Sequence, residues 1–268
     1  MDDYEKLMKE IEKQAMEMQK KMQEQMGNMS PEELTAMMND LAAQGLEDND
    51  QYMTDEELEQ FIAENTPSPE HAKYLPIGAL LIGTWAEPYV TLAITCDKDD
   101  VFGALEGGWG ISDRKDGLKM MESLLAGRHA NKFKADHLAL KAGKNDKVDP
   151  DSVEDYEATV SAITEVLELP MSYIEKCETL YAWDLERIGY LARLFAHVGY
   201  ITEAEAWDWM KKAGAKIKET FTCWEDYIVS ILIGRGFAMG LAEEPFAVAY
   251  DLLTDSRSFL DEHPIKDL

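Results

Sequence analysis

The sequence predicts an all-α protein: one irregular multi-helix domain that follows an acidic helical N-terminal extension. The first observation is that apolar residues recur at the spacing of amphipathic helices along most of the 268-residue chain. The second is that helix-start signals precede several of these segments. The third is that hydrophobic residues make up 46% of the chain, enough for a sizeable core in one large domain plus an extension.

The extension is predicted over residues 1–66 and is rich in Met and in acidic residues. In residues 2–26, apolar side chains alternate at spacings of four and three, as in a short heptad repeat: Tyr4, Met8, Ile11, Ala15, Met18 and Met22. Ser30–Glu33 then begins a second helix, and Thr54–Glu57 a third. Because methionine suits adaptable surfaces, residues 2–26 are predicted to dock a partner or to self-associate. The alternative is a helix that packs on its own domain or is frayed.

Charge is unevenly distributed along the chain. The formal net charge is −27, and the segment from Met22 to Ala72 contains no Lys or Arg but thirteen Asp and Glu. This balance argues against nucleic acid or an anionic membrane as a partner, because phosphate groups would repel the protein. No signal peptide and no apolar run long enough for a bilayer are recognisable. We expect a soluble cytoplasmic protein and predict a basic protein partner for the acidic surface; solubility alone is the alternative interpretation.

The helical domain is predicted over residues 70–260, after a linker at Thr66–Pro69. An apolar helix is predicted over Leu75–Thr84. It precedes Tyr89–Thr95, which fits a strand or a helix equally. Gly107–Gly110 is typical of a tight turn in which the backbone packs closely beside Trp109.

Further helices are predicted before the middle of the domain. Ser112 is the predicted cap of a helix over Asp113–Leu125, and Lys141–Pro150 is predicted to be an exposed loop. Ser152–Leu169 is predicted as an acidic amphipathic helix that Pro170 ends.

Met171–Val198 is the most strongly patterned stretch, and it is predicted to form one central helix. Its apolar face comprises Leu180, Tyr181, Ile188, Leu191, Ala192, Phe195 and Val198, with Asp184 in the middle. The opposite face, predicted to be solvated, carries Glu186, Gly189, Arg193 and His197. A carboxylate within an apolar stripe costs several kcal/mol unless it is paired. We therefore predict that Asp184 pairs with Arg187, three residues on, and Arg235 is the second candidate.

Cap signals divide the rest of the chain. Gly199 suits a left-handed helix end, and Thr202–Glu205 reads as a capping box. Thr222–Glu225 is predicted as a second capping box, which opens a helix that runs to about Leu241. Phe246–Leu253 is the last predicted helix, and Thr254–Leu268 is predicted to be a loosely packed tail.

Several of these segments resemble a known family. They are Trp183–Arg187, Leu191–Arg193, Gly199–Ile201, Glu203–Trp207, Trp224–Tyr227 and Leu232–Arg235, with an earlier block of Trp109–Ile111, Asp113–Arg114, Leu124–Leu125 and Gly127–His129. The resemblance is to the bacterial domain-of-unknown-function 1266 family and covers roughly residues 75–245. It implies a mostly helical bacterial domain, and it implies no particular activity.

The sharpest candidate site is a buried charge site. Its predicted members are Asp184, Arg187 and Arg235, with an aromatic lining of Trp183, Trp207 and Trp224. One interpretation is a structural ion pair that fixes helix register. The other is a polar pocket for a small ligand or a substrate carbonyl. A secondary candidate, in which His129 would act as a base, consists of Asp113, Arg114 and His129; the alternative is an ordinary structural or surface role for His129.

The sequence contains no nucleophile elbow and no metal-ligand motif, so no catalytic residue, cofactor or metal is predicted. Its three cysteines, Cys96, Cys177 and Cys223, are widely spaced and predict neither disulfides nor a zinc site. The favoured prediction is a non-enzymatic protein-binding module of the adaptor or toxin-neutralising type. The alternative is an enzyme or small-ligand binder at the Asp184, Arg187 and Arg235 core, and whether the chain is an enzyme is left open.

Overall fold

A computed structural model describes residues 53–268, and all regular structure in this range is helical. This confirms the predicted all-α class. The packing described below is that of the unit formed by residues 60–268. The predicted docking helix at residues 2–26 and the helix that begins at Ser30 lie outside the described residues. The domain boundary near residues 66–70 stays a prediction.

The helices follow one another with short connections. They are α1 (Asp55–Glu64), α2 (Pro69–Ala72), α3 (Ala79–Gly83), α4 (Lys98–Trp109), α5 (Arg114–Leu125), α6 (Arg128–Lys141), α7 (Pro150–Glu165), α8 (Met171–Lys176), α9 (Tyr181–Val198), α10 (Glu203–Thr220), α11 (Trp224–Met239), α12 (Glu244–Leu253) and α13 (Arg257–Glu262). Single 3₁₀ turns lie at Asn145–Lys147 and Ile265–Asp267. The sequence did not predict α2, α4 or α6.

Helix α9 is the centre of the fold. Helices α3, α5, α6, α10 and α11 pack around it, and every residue from Ala182 to Phe195 is buried. The predicted solvated face of this helix is therefore wrong. Glu186 and Arg193 are fully buried, and His197 is partly buried. A helix that is covered on all sides needs no polar face, so each of its charged side chains must find partners inside the protein.

The two buried charges on that face bind the backbone of the segment that precedes α4. Arg193 donates to the carbonyl oxygens of Leu75 and Ile77, each at 2.7 Å. Glu186 accepts from the backbone N–H groups of Gly78 (2.8 Å) and Leu81 (3.1 Å). These bonds use backbone groups that a helix over Leu75–Thr84 would pair internally, so only Ala79–Gly83 is helical there.

The predicted continuous helix from Met171 to Val198 is also wrong, because the chain leaves helical geometry between α8 and α9. The carbonyl oxygen of Cys177 accepts from His137 Nε2 and Lys141 Nζ, both at 2.8 Å. The carbonyl oxygen of Thr179 accepts from Ser230 Oγ at 2.8 Å. These tertiary hydrogen bonds satisfy the carbonyl groups that a continuous helix would use.

Local cap signals have mixed outcomes. Gly199 has the predicted left-handed conformation (φ 80°), and Thr202 and Glu205 form the predicted capping box at the start of α10. The second predicted box does not form, because the hydroxyl of Thr222 donates to the carboxylate of Asp226 instead. Helix α5 is capped by Asp113, whose carboxylate accepts from Asp116 N at 2.8 Å, and not by Ser112.

Two other predicted elements differ from the structure. Gly107 and Gly108 lie within the last turn of α4, and a Cβ at either position would meet no atom within 4 Å. The predicted close backbone packing beside Trp109 is therefore wrong. The predicted loose tail is also wrong, because α13 forms there and Leu260 and Ile265 are buried in the core.

Candidate functional site

Asp184 belongs to α9, but its carboxylate lies at the N-terminal end of a different helix, α6. Its Oδ2 accepts from the backbone N–H groups of His129 and Ala130, both at 2.9 Å, and its side chain is fully buried. These are N–H groups of the first turn of α6, whose N-cap residue is Gly127 with φ 77° and no side chain to offer. Asp184 therefore caps α6 from α9, and its negative charge suits the positive end of that helix.

Arg187 is the predicted partner of Asp184, and its Nη2 lies 2.8 Å from Asp184 Oδ1. Its Nε donates to the carbonyl oxygen of Trp183 at 3.1 Å. The guanidinium carbon also lies 4.5 Å from the ring centroid of Trp183 and 5.7 Å from that of Trp109. Burial lowers the pKa of Arg187 to about 10, and the charge of Asp184 opposes this shift. The carboxylate and the two indole rings together fix the direction of the guanidinium.

His129 joins this group, although the sequence analysis assigned it to a different candidate site. Its Nδ1 lies 2.9 Å from Asp184 Oδ1 and also contacts Arg187 Nη2. The nitrogen can donate to the carboxylate or accept from the guanidinium, but it cannot do both at once. His129 and Asp184 are 55 residues apart, so their contact leaves no local sequence pattern from which it could be predicted.

Arg235, the second predicted partner of Asp184, does not contact it. One amino group of Arg235, Nη1, donates to the carbonyl oxygen of Gly240 at 2.7 Å, close to the end of its own helix. Burial lowers the pKa of Arg235, and the nearby charge of Glu244 opposes this effect. The oxygens of Asp184 are used by α6 and Arg187, so a second arginine is not needed there.

Of the three predicted aromatic residues, Trp183 alone lies against the charge site. Trp207 stacks on His71, with ring centroids 4.7 Å apart, and borders a separate cavity of about 330 Å³. The indole N–H of Trp224 donates to the carbonyl oxygen of His263 at 2.9 Å. Helical spacing predicted correctly that all three are buried, but it does not tell which neighbour each ring meets.

The secondary candidate of Asp113, Arg114 and His129 does not come together. Asp113 caps α5, whereas Arg114 Nη2 forms a half-exposed ion pair with Glu205 at 2.6 Å. The hydrogen bond from Arg114, together with those from Thr202, lowers the pKa of Glu205 to about 2. These contacts stabilise the start of α10 and leave His129 with Asp184.

The charge site borders a cavity, which we call the Arg–Trp cavity. Its volume is about 490 Å³, and helices α4, α9, α11 and α12 and the segment from Leu81 to Trp85 contribute to its wall. The lining includes Trp85, Gly108, Trp109, Trp183, Arg187 and Arg235. Three of the chain's six tryptophans and two of its six arginines thus line one cavity. Trp85 and Trp109 were not predicted as members of this site, because they lie far from α9 in the sequence.

Three other features bear on function. Between residues 53 and 268, no three His, Cys, Asp or Glu side chains converge in a way that could hold a metal ion. The three cysteines are not joined in disulfides. None of the helices in the described part of the chain has the length and hydrophobicity that a membrane crossing requires.

Comparison with known proteins gives one family. Neither the curated proteins nor the solved structures contain a match to the chain. The family described as "Protein of unknown function (DUF1266)" matches residues 104–265, a range that includes α9, α11 and all the residues of the buried charge site. The match spans more than half of the 268 residues and agrees with the resemblance found in the sequence, so the chain belongs to the DUF1266 family.

Proposed function

We propose that this protein binds a small organic molecule in the Arg–Trp cavity. The observation that carries the proposal is the placement of Arg187, whose buried guanidinium lines a cavity of about 490 Å³. Ligand pockets typically measure about 300 to 1,000 Å³ and combine apolar and aromatic walls with a few fixed polar groups. The tryptophans and the two arginines of the wall fit this description.

The capping of α6 by Asp184 does not explain why Arg187 lines the cavity. A buried ion pair that only fixed helix register would be expected to have all its donors satisfied within the protein. Arg187 uses Nε and Nη2 toward Trp183 and Asp184, whereas Nη1 donates to no residue in the described range. The charge site therefore supports two roles together: Asp184 caps α6, and Arg187 offers a donor to a ligand.

Filling the cavity tests the proposal. Gly108 lines the cavity and a Cβ there meets no atom within 4 Å, so Gly108→Phe adds a ring at the cavity wall without a backbone clash. Gly107→Phe is the matched control, since Gly107 is equally open and does not line the cavity. We expect 1-anilinonaphthalene-8-sulfonate to bind the wild-type protein and the Gly107 variant, and to bind the Gly108 variant at least tenfold more weakly. Equal binding by all three proteins would contradict the proposal.

A protein-binding module remains a second candidate function, and a separate observation favours it. The segment from Met22 to Ala72 carries thirteen acidic residues and no Lys or Arg, which suits a basic partner of an adaptor or toxin-neutralising system. Native mass spectrometry of the full chain, purified gently from its own host, tests this. A basic protein that co-purifies with the full chain and is lost on deletion of residues 1–66, while the rest keeps its helical circular dichroism, would support it. A bare chain would contradict it.

A further inference from the structure

We infer that the ligand of the Arg–Trp cavity is an aromatic carboxylate. The ring would lie against the partly buried side chains of Trp85 and Trp109, and the carboxylate would lie between Arg187 and Arg235. This inference rests on the proposed function and specifies the chemistry of the ligand.

The hydrogen-bonding groups on the cavity wall point to an anion. Arg187 Nη1 and the Nε and Nη2 of Arg235 donate to no acceptor within the described part of the chain. A carboxylate has two oxygens that accept several hydrogen bonds and matches the planar geometry of a guanidinium. These donors thus lack acceptors that a carboxylate would supply.

The charge on the wall fits one negative charge rather than two. Arg187 and Arg235 are the cations of the lining, and Glu244 is its anion. Asp184, the counter-ion of Arg187, lies behind the wall, where N–H groups of α6 already bind it. The charged side chains that line the cavity therefore include one more cation than anion, in a chain whose net charge is −27. A monovalent carboxylate fits this excess better than a dianionic phosphate.

The aromatic walls indicate the rest of the ligand. The ring of Tyr190 contacts both Trp85 and Trp109. Its centroid lies 5.8 Å from that of Trp85, with an interplanar angle of 71°, and 6.0 Å from that of Trp109, with an interplanar angle of 27°. Trp85 and Trp109 are themselves only partly buried, so part of their ring surface remains open. Open indole faces attract a planar π-system more than a flexible aliphatic chain.

Three probes with one ring system test the inference: 2-naphthoate, 2-naphthamide and 2-naphthylmethylammonium. Each is titrated by calorimetry against the full-chain protein. We expect 2-naphthoate to bind at least tenfold more tightly than the amide and the ammonium to bind weakest of the three. Gly108→Phe should abolish binding of 2-naphthoate, and Gly107→Phe should retain it.

Arg235→Gln separates the role of charge from that of shape. Arg235 is half-buried, and its one hydrogen-bond partner between residues 53 and 268 is Gly240, so its replacement is compatible with folding. We expect about a tenfold loss of affinity for 2-naphthoate and no change for 2-naphthamide, because the amide lacks the charge that the guanidinium attracts.

The outcomes distinguish this inference from the proposed function. If the amide or the ammonium binds as tightly as 2-naphthoate and Gly108→Phe blocks it, the aromatic carboxylate is wrong and the cavity is still a ligand site. The same conclusion follows if 1-anilinonaphthalene-8-sulfonate binds in the cavity and 2-naphthoate does not. If neither 1-anilinonaphthalene-8-sulfonate nor any of the three probes shows binding that depends on Gly108, both proposals are wrong.

Discussion

At the scale of single residues, two carboxylates of α9 organise the segments around it. Asp184 binds the start of α6, and Glu186 binds Gly78 and Leu81 in the segment before α4. Both are fully buried, so each replaces hydration by hydrogen bonds from distant backbone. Removal of either side chain would therefore leave buried N–H donors without acceptors.

Replacement of Asp184 by Asn tests the first of these contacts. The variant keeps the shape of the side chain but removes the charge that pairs with Arg187 and caps α6. Breaking a buried pair from one side typically costs about 3 to 5 kcal/mol, so we expect a loss of that size in urea unfolding. The exposed Asp208 on α10 provides the matched control, and Asp208→Asn should change stability by less than about 0.5 kcal/mol. Equal unfolding midpoints for the two variants would show that Asp184 holds no such pair.

Glu186 should make stability depend on pH. Burial raises the pKa of Glu186 above the ordinary value of 4.5, and the hydrogen bonds from Gly78, Leu81 and Tyr227 oppose this. The folded protein then holds the proton more tightly than the unfolded chain. The contribution of protonated Glu186 to stability is complete below pH 4.5 and is lost as the pH rises through the folded pKa.

The measurement compares wild-type protein with Glu186→Gln between about pH 5 and about pH 8, with the free energy of unfolding from urea titrations. The stability of the wild-type protein relative to the variant should decrease as the pH rises. Glu122→Gln, which removes an exposed carboxylate, is the control and should show no such decrease. A relative stability that increases with pH would contradict the predicted direction.

At the scale of elements, the closest packing is between α9 and the segment that contains Ile77 and Gly78. A Cβ added at Gly189 would lie 2.1 Å from the carbonyl oxygen of Ile77, which is backbone and cannot move aside cheaply. We therefore expect Gly189→Ala to destabilise the protein by about 3 kcal/mol or to prevent folding. Gly107→Ala, at an open helical position, should instead stabilise it by about 0.5 to 1 kcal/mol. Thermal unfolding of the two variants measures both changes in stability. A Gly189→Ala variant as stable as the wild-type protein would contradict this packing.

Local chemistry explains which elements were predictable from the sequence. Gly199 and the Thr202–Glu205 capping box depend on a few neighbouring residues, and both form as predicted. The position of Asp184 on an apolar face correctly indicated a buried carboxylate with Arg187 beside it. The break between α8 and α9 depends on His137, Lys141 and Ser230, which are distant in sequence and give no local signal.

Periodicity failed where burial is complete. An amphipathic pattern implies a solvent-exposed face, so Glu186 and Arg193 were predicted to be exposed. In the structure, helices surround α9 and both side chains are buried. The candidate site was predicted in part for the same reason. Asp184, Arg187 and Trp183 are close in sequence and meet in space, but the contacts of His129, Trp85 and Trp109 are set by tertiary packing. Arg235 was wrongly predicted to pair with Asp184, because residue spacing within α11 does not tell which residues of α9 it faces.

At the scale of the whole molecule, charge is the dominant property. The chain has 53 Asp and Glu against 26 Lys and Arg. Salt affects such a protein in two opposite ways. It weakens exposed ion pairs such as Arg114–Glu205, each of which typically contributes little, and it screens the repulsion among the excess carboxylates. The second effect involves far more groups, so it should prevail.

We therefore expect the midpoint of thermal unfolding to rise as sodium chloride increases from about 0.02 M to about 0.5 M, a range over which the screening length falls from about 20 Å to about 4 Å. Sodium sulfate at equal ionic strength separates screening from exclusion at the protein surface, because sulfate also strengthens apolar burial. Charge repulsion predicts that most of the rise occurs with chloride and at the low end of the range. A rise with sulfate alone, or a fall with chloride, would show that the net charge of −27 does not limit the stability of the folded chain.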